Sequence, residues 1–214
     1  MTATIRPYDP RDRTEVRALC CETAFMGESL DRYFNDRELI GDALSRYYTD
    51  FEPEHCLVAE NDGCVVGYFF GCANTNRFNS AMRWRIAPIL TLKILWRGAP
   101  WRRGTRDFFW RIVRGVFAGH ARLPDVPGEF PAHFHVNLAK KARGQGLGGQ
   151  LIERGLELLR EAGARGVHLQ TIKQNTRAVE LFRRLGFEPI HESPAPTWPE
   201  KVQPIIALTM TKKL

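Results

Sequence analysis

Seven residues, Arg143-Gly144-Gln145-Gly146-Leu147-Gly148-Gly149, carry the clearest chemistry in the chain. They follow an alternating run, Ala132–Leu138, that reads as a strand. They precede Leu147, Leu151, Leu156 and Leu159, whose spacing predicts a helix to about Ala162. Glycines let a backbone turn tightly and lie close to a ligand. The N–H groups of a helix's first turn have no intrahelical partner, and with the helix dipole they form an anion site suited to a pyrophosphate. Arg143 adds positive charge at this turn. The plain alternative is a helix start whose glycines are required sterically and hold nothing. Gly144, Gly146 and Gly149 also satisfy Gly-x-Gly-x-x-Gly, but that dinucleotide pattern expects an acidic residue about twenty positions on, where His168-Leu169-Gln170 stands. No Gly-Lys-Ser/Thr follows, which removes a Walker-type phosphate loop.

The elements that must position this turn are legible on both sides of it. Thr4–Tyr8 reads as an edge strand, because Pro7 cannot donate to a ladder. Asp9–Thr23 and about Arg37–Tyr48 carry apolar residues at helical spacing. His55–Glu60 and Cys64–Ala73 flank Asn61-Asp62-Gly63, a strong hairpin signal. Beyond the central helix, Gly166–Ile172 reads as a strand and Asn175–Leu185 as a short helix stopped by Gly186. Phe187–His191 and Ile205–Thr211 read as closing strands. Strands and helices in that order predict a mixed α/β layer structure rather than a run of βαβ units.

A length of 214 residues fits one domain, 1–214, with an insertion at about 75–130. The net charge of +7 is not shared evenly, since residues 75–130 carry a balance of +8 and the rest −1. That concentration argues against a nucleic-acid-binding role for the whole chain. The insertion holds Trp84, Trp96, Trp101 and Trp110, an apolar run Ile86–Trp96 and a second helical pattern at Thr105–Phe117; Leu123–Pro131 leads back to the main fold. Its aromatic stripe is expected to pack on the domain or on a second subunit with the arginines solvated. A membrane-surface role and a basic wall for an anionic acceptor are the competing readings. No apolar stretch reaches 18 residues and the first residues lack an apolar leader, so the expectation is a cytoplasmic chain with no transmembrane segment. Five cysteines without a C-x-x-C pair, and His120, His168 and His191 in isolation, predict neither a disulfide framework nor a metal site.

Arg143, Gly146 and Gly148 meet the pattern Arg-x-x-Gly-x-Gly, and at this point the chain resembles the GNAT family of N-acetyltransferases. A second block, Asn175-Thr-Arg-Ala178-Val-Glu-Leu181-Phe182-Arg-Arg-Leu185-Gly186-Phe187, resembles the family's late helix and its Leu-Gly-Phe ending, in the family's order and spacing. The resemblance implies a mostly antiparallel mixed sheet flanked by helices, with the basic, aromatic-rich 75–130 segment as a helical insertion. It also implies acetyl-CoA as co-substrate and direct attack of a primary amine, small-molecule or peptide, on the thioester. Main-chain N–H groups of Arg143, Gly144, Gln145, Gly146, Leu147, Gly148 and Gly149 would then hold the CoA pyrophosphate. Val136–Leu138 would splay from His168–Thr171, the pantetheine arm would lie in the gap, and an N–H near Leu138 would polarise the thioester carbonyl. Asn175 would help position the co-substrate, and a homodimer is plausible by the same resemblance.

Two roles are not settled by the resemblance. Family members often carry a tyrosine on the late helix that protonates the leaving thiolate, and Phe182 occupies that position here. A phenyl ring donates no proton, so water or another residue does so, or the chain is an acyl-CoA-binding module without catalysis. For the general base, His133, His135 and Asn137 alternate and share one face of the strand that should flank the thioester. An imidazole suits that task near neutral pH, directly or through water. The competing reading makes the histidines hydrogen-bonded packing groups under the insertion. Glu22, Glu28 and Asp31 are further candidates, with solvated surface charge as their plainer reading.

Overall fold

The computed structural model describes residues 3–24, 29, 36–98, 101, 126–194 and 205–214. The helix expected at Thr105–Phe117, with Glu28 and Asp31, lies outside these residues. Seven strands make one sheet in the order β1-β2-β3-β4-β5-β7-β6: β1 Thr4–Pro7, β2 Cys56–Asn61, β3 Cys64–Cys72, β4 Ala132–Leu138, β5 Gly166–Ile172, β6 Glu188–Pro194 and β7 Ile206–Lys213. Only β4 and β5 run parallel, and every other pairing is antiparallel. β1 is an edge strand, as Pro7 predicts. Asp62 and Gly63 both take positive φ, 52° and 76°, the backbone of the tight β2–β3 hairpin turn that Asp-Gly announces.

Two helical layers cover the sheet. α1 Arg13–Thr23 and α2 Arg37–Phe51 pack on one face, where Tyr48, Tyr68 and Phe70 join Val16 and Leu19 in a buried cluster. α2 starts at Asp36, whose side chain accepts from Leu39 N–H. Three helical segments follow β3: α3 Thr75–Ala81, a π-helical turn Met82–Ile86, and α4 Ala87–Trp96. Pro88 has no N–H and clashes with the carbonyl one turn back, which accounts for the widened turn before it; there Ala87 N–H reaches Met82 O. α5 Leu147–Glu161 and α6 Thr176–Arg184 cover the other face, packing Leu151, Ile152 and Leu159 on Phe69 and Phe134. α5 lies so close to β3 that a Cβ on Gly155 would sit 2.4 Å from the Phe69 ring. Among the described residues no helix is long and apolar enough to cross a membrane.

A buried carboxylate ties the two ends of this core together. Glu52 accepts from Tyr47 Oη at 2.6 Å, His55 Nδ1 at 3.1 Å and Ala73 N–H at 2.9 Å. Burial works to raise its pKa, but the bonds from His55, Tyr47 and Ala73 outweigh burial and hold it at about 2. A carboxylate depressed in the folded state stabilises above its unfolded pKa and loses that contribution as pH falls through the folded value. Here the window runs from the ordinary glutamate range down to about 2. Buried His133 acts in a separate window: its pKa is pushed down to about 3, so the unfolded chain takes up the proton first and stability falls once pH drops below the ordinary imidazole value. Glu52→Gln is therefore expected to lower stability by about 1–3 kcal/mol at pH 7. Urea titrations across pH should show it flattening the acid slope below about 4.5 while leaving the slope near pH 6 in place.

Candidate functional site

The glycine turn brings the end of β4 to the start of α5. Gly144 and Gly146 take φ of 84° and 79°, a left-handed backbone that side-chain-bearing residues rarely adopt. Gly146 is the N-cap of α5, and no side chain caps the helix. The first-turn N–H groups of Leu147, Gly148 and Gly149 therefore open onto the adjoining cleft. Leu147 itself is buried in the core, and Gln145 donates its side-chain N–H to Lys141 O at 3.1 Å. Both contribute to the turn through their backbone, not as side chains in the cleft. Arg143 donates Nε–H to Leu138 O at 3.2 Å, which clamps the turn to the strand before it.

The cleft, about 620 Å³, runs from this turn between β4 and β5. It exists because the two strands part: their ladder holds only Ala132 opposite Val167 and His133 opposite His168, although β4 continues to Leu138 and β5 to Ile172. Ala139 N–H bonds Val66 O on the β3 side. Backbone groups alternate along a strand, so the N–H groups of Val136 and Leu138 point the other way, into the gap. Asn137, Val136 and Leu138 line it from β4, and Gln170 and Thr171 from β5. Asn175 and Phe182 line it from the α6 side. Asn175 also caps α6 by accepting from Ala178 N–H, and Phe182 packs edge-on against Phe134 and Phe187. Arg177 and Arg184, which the sequence pattern did not single out, face the same space. A guanidinium nitrogen of Arg177 would lie 3.2 Å from a Cβ on Gly144, so it adds positive charge beside the glycine turn. Its place two residues after Asn175 was the available signal.

A second cavity of about 610 Å³ opens on the α2 side of the sheet and meets the cleft at Phe134, His135, Leu169 and Gln170. Its described lining holds Asn74, Asn76, Asn79 and three histidines, with no acidic side chain, lysine or arginine among the described residues. The histidines differ in freedom. Thr75 Oγ1 donates to Pro131 O, so it accepts from His133 Nδ1–H at 2.8 Å, and His133 Nε2 accepts from Tyr48 Oη at 2.9 Å. Both nitrogens of His133 are thus committed, in one tautomer. Burial, then the neighbouring His135 and His168, push its pKa down to about 3. His168 donates Nδ1–H to Phe130 O at 2.9 Å, and burial lowers its pKa. His135 stands at the junction of the two cavities with no hydrogen bond to either ring nitrogen among the described residues, held by ring contacts to Tyr48 and His133. It keeps solvent contact through the cleft while protein crowds its other sides and pushes its pKa down to about 4. Cleft water opposes that shift, so the direction, a neutral ring at pH 7, is what its chemistry uses. Asn137 donates Nδ2–H to Tyr68 Oη at 2.8 Å, which leaves its amide oxygen toward the gap.

The geometry thus gathers His135, Asn137, the β4 backbone, the glycine turn, Asn175 and Phe182 around one cleft, and sets His133 apart in the neighbouring cavity as a locked ring. Glu22 is on the surface, 3.9 Å from Arg37. No group of histidine, cysteine and acidic residues among the described residues could hold a metal.

Comparison with known proteins bears on the family and the fold. The model of the acetyltransferase (GNAT) family matches residues 23–187. The crystal structure of SsHAT superposes with a TM-score of 0.77 at 28% identity, covering 100% of this chain and 98% of that one. YncA of Salmonella typhimurium, solved with acetyl-CoA, superposes with a TM-score of 0.62 at 18% identity, covering 100% and 95%. Protein O-GlcNAcase of Rattus norvegicus is 23% identical over 86% of this chain and 20% of its own length. The chain spans about a fifth of the length of the curated relatives it matches. A mostly antiparallel seven-stranded sheet, a parted β4–β5 pair, an uncapped glycine-rich helix start and the family match over 23–187 place the chain in the GNAT acetyltransferase family.

Proposed function

We propose that the chain transfers an acetyl group from acetyl-CoA to a primary amine by direct attack. The observation that carries this reading is the parting of β4 and β5 after His133 and His168, which joins the glycine turn to His135 through one cleft. Bound acetyl-CoA supplies the activated acetyl group. The residues present suit it: uncapped N–H groups of α5 and the Arg177 guanidinium face the turn where a diphosphate is held. The Val136 and Leu138 backbone offers strand-like hydrogen bonds to an amide-bearing arm, and the Leu138 N–H acts as the donor to the thioester carbonyl. The acceptor enters from the second cavity, where His135 receives the amine proton directly or through a water. Its described walls are carboxamide- and imidazole-rich, which moves the acceptor's neutral hydrogen-bonding groups, not a basic wall, to the front of recognition. An amine panel with acetyl-CoA, read by thiol release, tests the reading: amine-dependent release supports it.

A module that binds acyl-CoA and does no chemistry is the second reading, and Phe182 is what favours it. The ring is packed among Phe134 and Phe187 and offers no proton to a leaving thiolate. Binding with no release for any amine supports the module. Under the enzyme reading, Phe182→Tyr supplies a phenol at the cleft and is expected to raise kcat about tenfold, a modest part of what a positioned acid provides. Stopped-turnover assays at saturating acetyl-CoA measure this, and an unchanged or lower kcat in a folded variant counts against thiolate protonation as the slow step.

A further inference from the structure

α4 is apolar around most of its circumference, and the fold buries only one side of it. Leu90 and Ile94 face α1 and α2, packed with Cys21, Leu39 and Ile40. Lys93 binds Asp42 at 2.6 Å and Glu38 at 3.1 Å, and Arg97 binds Asp36 at 2.9 Å, so the inner side is closed by ion pairs. The outer side carries Ile89, Leu92, Leu95 and Trp96, one helical turn after another, with Leu92 67% and Trp96 90% exposed. Trp84, in the π-helical turn, and Trp101 extend the patch at 70% and 71% exposed. A continuous apolar face of this kind on a soluble fold marks a surface that something covers.

Charge identifies the cover. From Gly63 to Arg106 the sequence has no aspartate or glutamate, and it has eight lysines and arginines. Lys93 and Arg97 are spent on α2, but Arg77, Arg83 and Arg85 are exposed and make no ion pair among the described residues. The Arg83 guanidinium lies 5.1 Å from the Trp84 ring centroid, so apolar and cationic groups share one surface. A second copy docked here by a twofold axis sets this basic face against itself. Nucleic acid uses arginine and tryptophan but has little to offer the branched side chains of Ile89, Leu92 and Leu95. An anionic lipid surface matches all three classes at once: acyl chains for the aliphatics, the headgroup boundary for tryptophan, and lipid charge for arginine. The span from Trp84 to Trp96 is about 18 Å at helical rise, too short to cross a bilayer and suited to lying in its plane.

We propose that the outer face of the π-helical turn and α4, with Trp84, Leu92, Leu95 and Trp96 flanked by Arg83 and Arg85, docks on an anionic lipid bilayer. This is independent of catalysis, since none of these residues lines either cavity. The test is flotation of the full chain with vesicles of phosphatidylcholine alone or mixed with phosphatidylglycerol. Wild type should partition onto the mixed vesicles and not the neutral ones. The exposed double variant Leu92→Gln/Trp96→Gln should bind at least about tenfold more weakly at low and high salt, because burial of apolar surface is unscreened. Arg83→Gln/Arg85→Gln should lose roughly fivefold per arginine at low salt and nothing at high salt. Brominated acyl chains should quench tryptophan emission in the wild type and less in Trp96→Phe. No partition by wild type overturns the proposal, and so does partition of both double variants equal to that of wild type. A dimer that Leu92→Gln/Trp96→Gln dissociates, without vesicle binding, reassigns the face to a second copy. Retention of an oligonucleotide that only the arginine variant loses reassigns it to nucleic acid.

Discussion

His135→Ala is expected to lower kcat/KM for the amine by about 10²- to 10³-fold while acetyl-CoA affinity stays within about twofold. The magnitude follows from what His135 has and its neighbours lack. His133 and His168 line the same cavity, but hydrogen bonds commit both nitrogens of the first and one of the second. His135 alone stands where the two cavities join. Protein around the ring pushes its pKa down while cleft water opposes that shift, so its nitrogen is unprotonated at pH 7. Such a ring is a weak base, and a weak base suffices, because the attacking nitrogen becomes strongly acidic as its bond to carbon forms. The pH profile carries the signature. The acid limb of kcat/KM should follow deprotonation of the amine itself, and loss of His135 function should emerge only below the ordinary imidazole range. A profile with an ordinary imidazole inflection assigns the proton transfer to another group. His133→Gln should act on stability first, because it breaks the chain from Tyr48 to Thr75.

The largest effect on binding is expected from Gly146→Glu, at least about 100-fold weaker acetyl-CoA binding, equal to about 2.7 kcal/mol. Two causes act together. A carboxylate at the uncapped start of α5 occupies the N–H groups that a diphosphate needs and repels its charge. A side chain at φ 79° also strains the turn by about 1–2 kcal/mol. The fold should survive. Gly146 is exposed, and a Cβ there meets nothing closer than Gln150 at 3.8 Å. A thermal midpoint within several degrees of wild type, beside lost binding in calorimetry, is the expected pair of results. Retained binding in the variant moves the diphosphate away from this turn.

Local signals foretold the parts of this molecule that depend on local chemistry. Asp62-Gly63 predicts the hairpin turn that both positive φ values confirm, and the leucines of α5 predict the face that is buried. The alternation on β4 is visible in the packing: Phe134, Val136 and Leu138 join the core under α5, whereas His133 and His135 meet the Tyr48 ring and Asn137 bonds Tyr68. Long-range relations were not legible. The sequence order places β6 before β7, yet β7 lies between β5 and β6, a choice made by register across the sheet. Periodicity marks His133 and His135 as equals; Tyr48 and Thr75, 85 and 58 residues away, distinguish them. Arg177 reads as solvated charge on a short helix until the turn at Gly144 is folded beside it. The helical segment from Thr75 left no apolar pattern to read, because α3 buries none of its residues and is started by the Asn74 side chain accepting from Asn76 and Arg77 N–H.

The opening between β4 and β5, ended by the glycine turn, is the proposed acetyl-CoA site. Calorimetric titration of the purified chain with acetyl-CoA is the deciding measurement. Saturable binding at one site per chain, lost in Gly146→Glu, is expected. A well-folded wild type that takes up no heat of binding, and competes for no CoA by equilibrium dialysis, contradicts it.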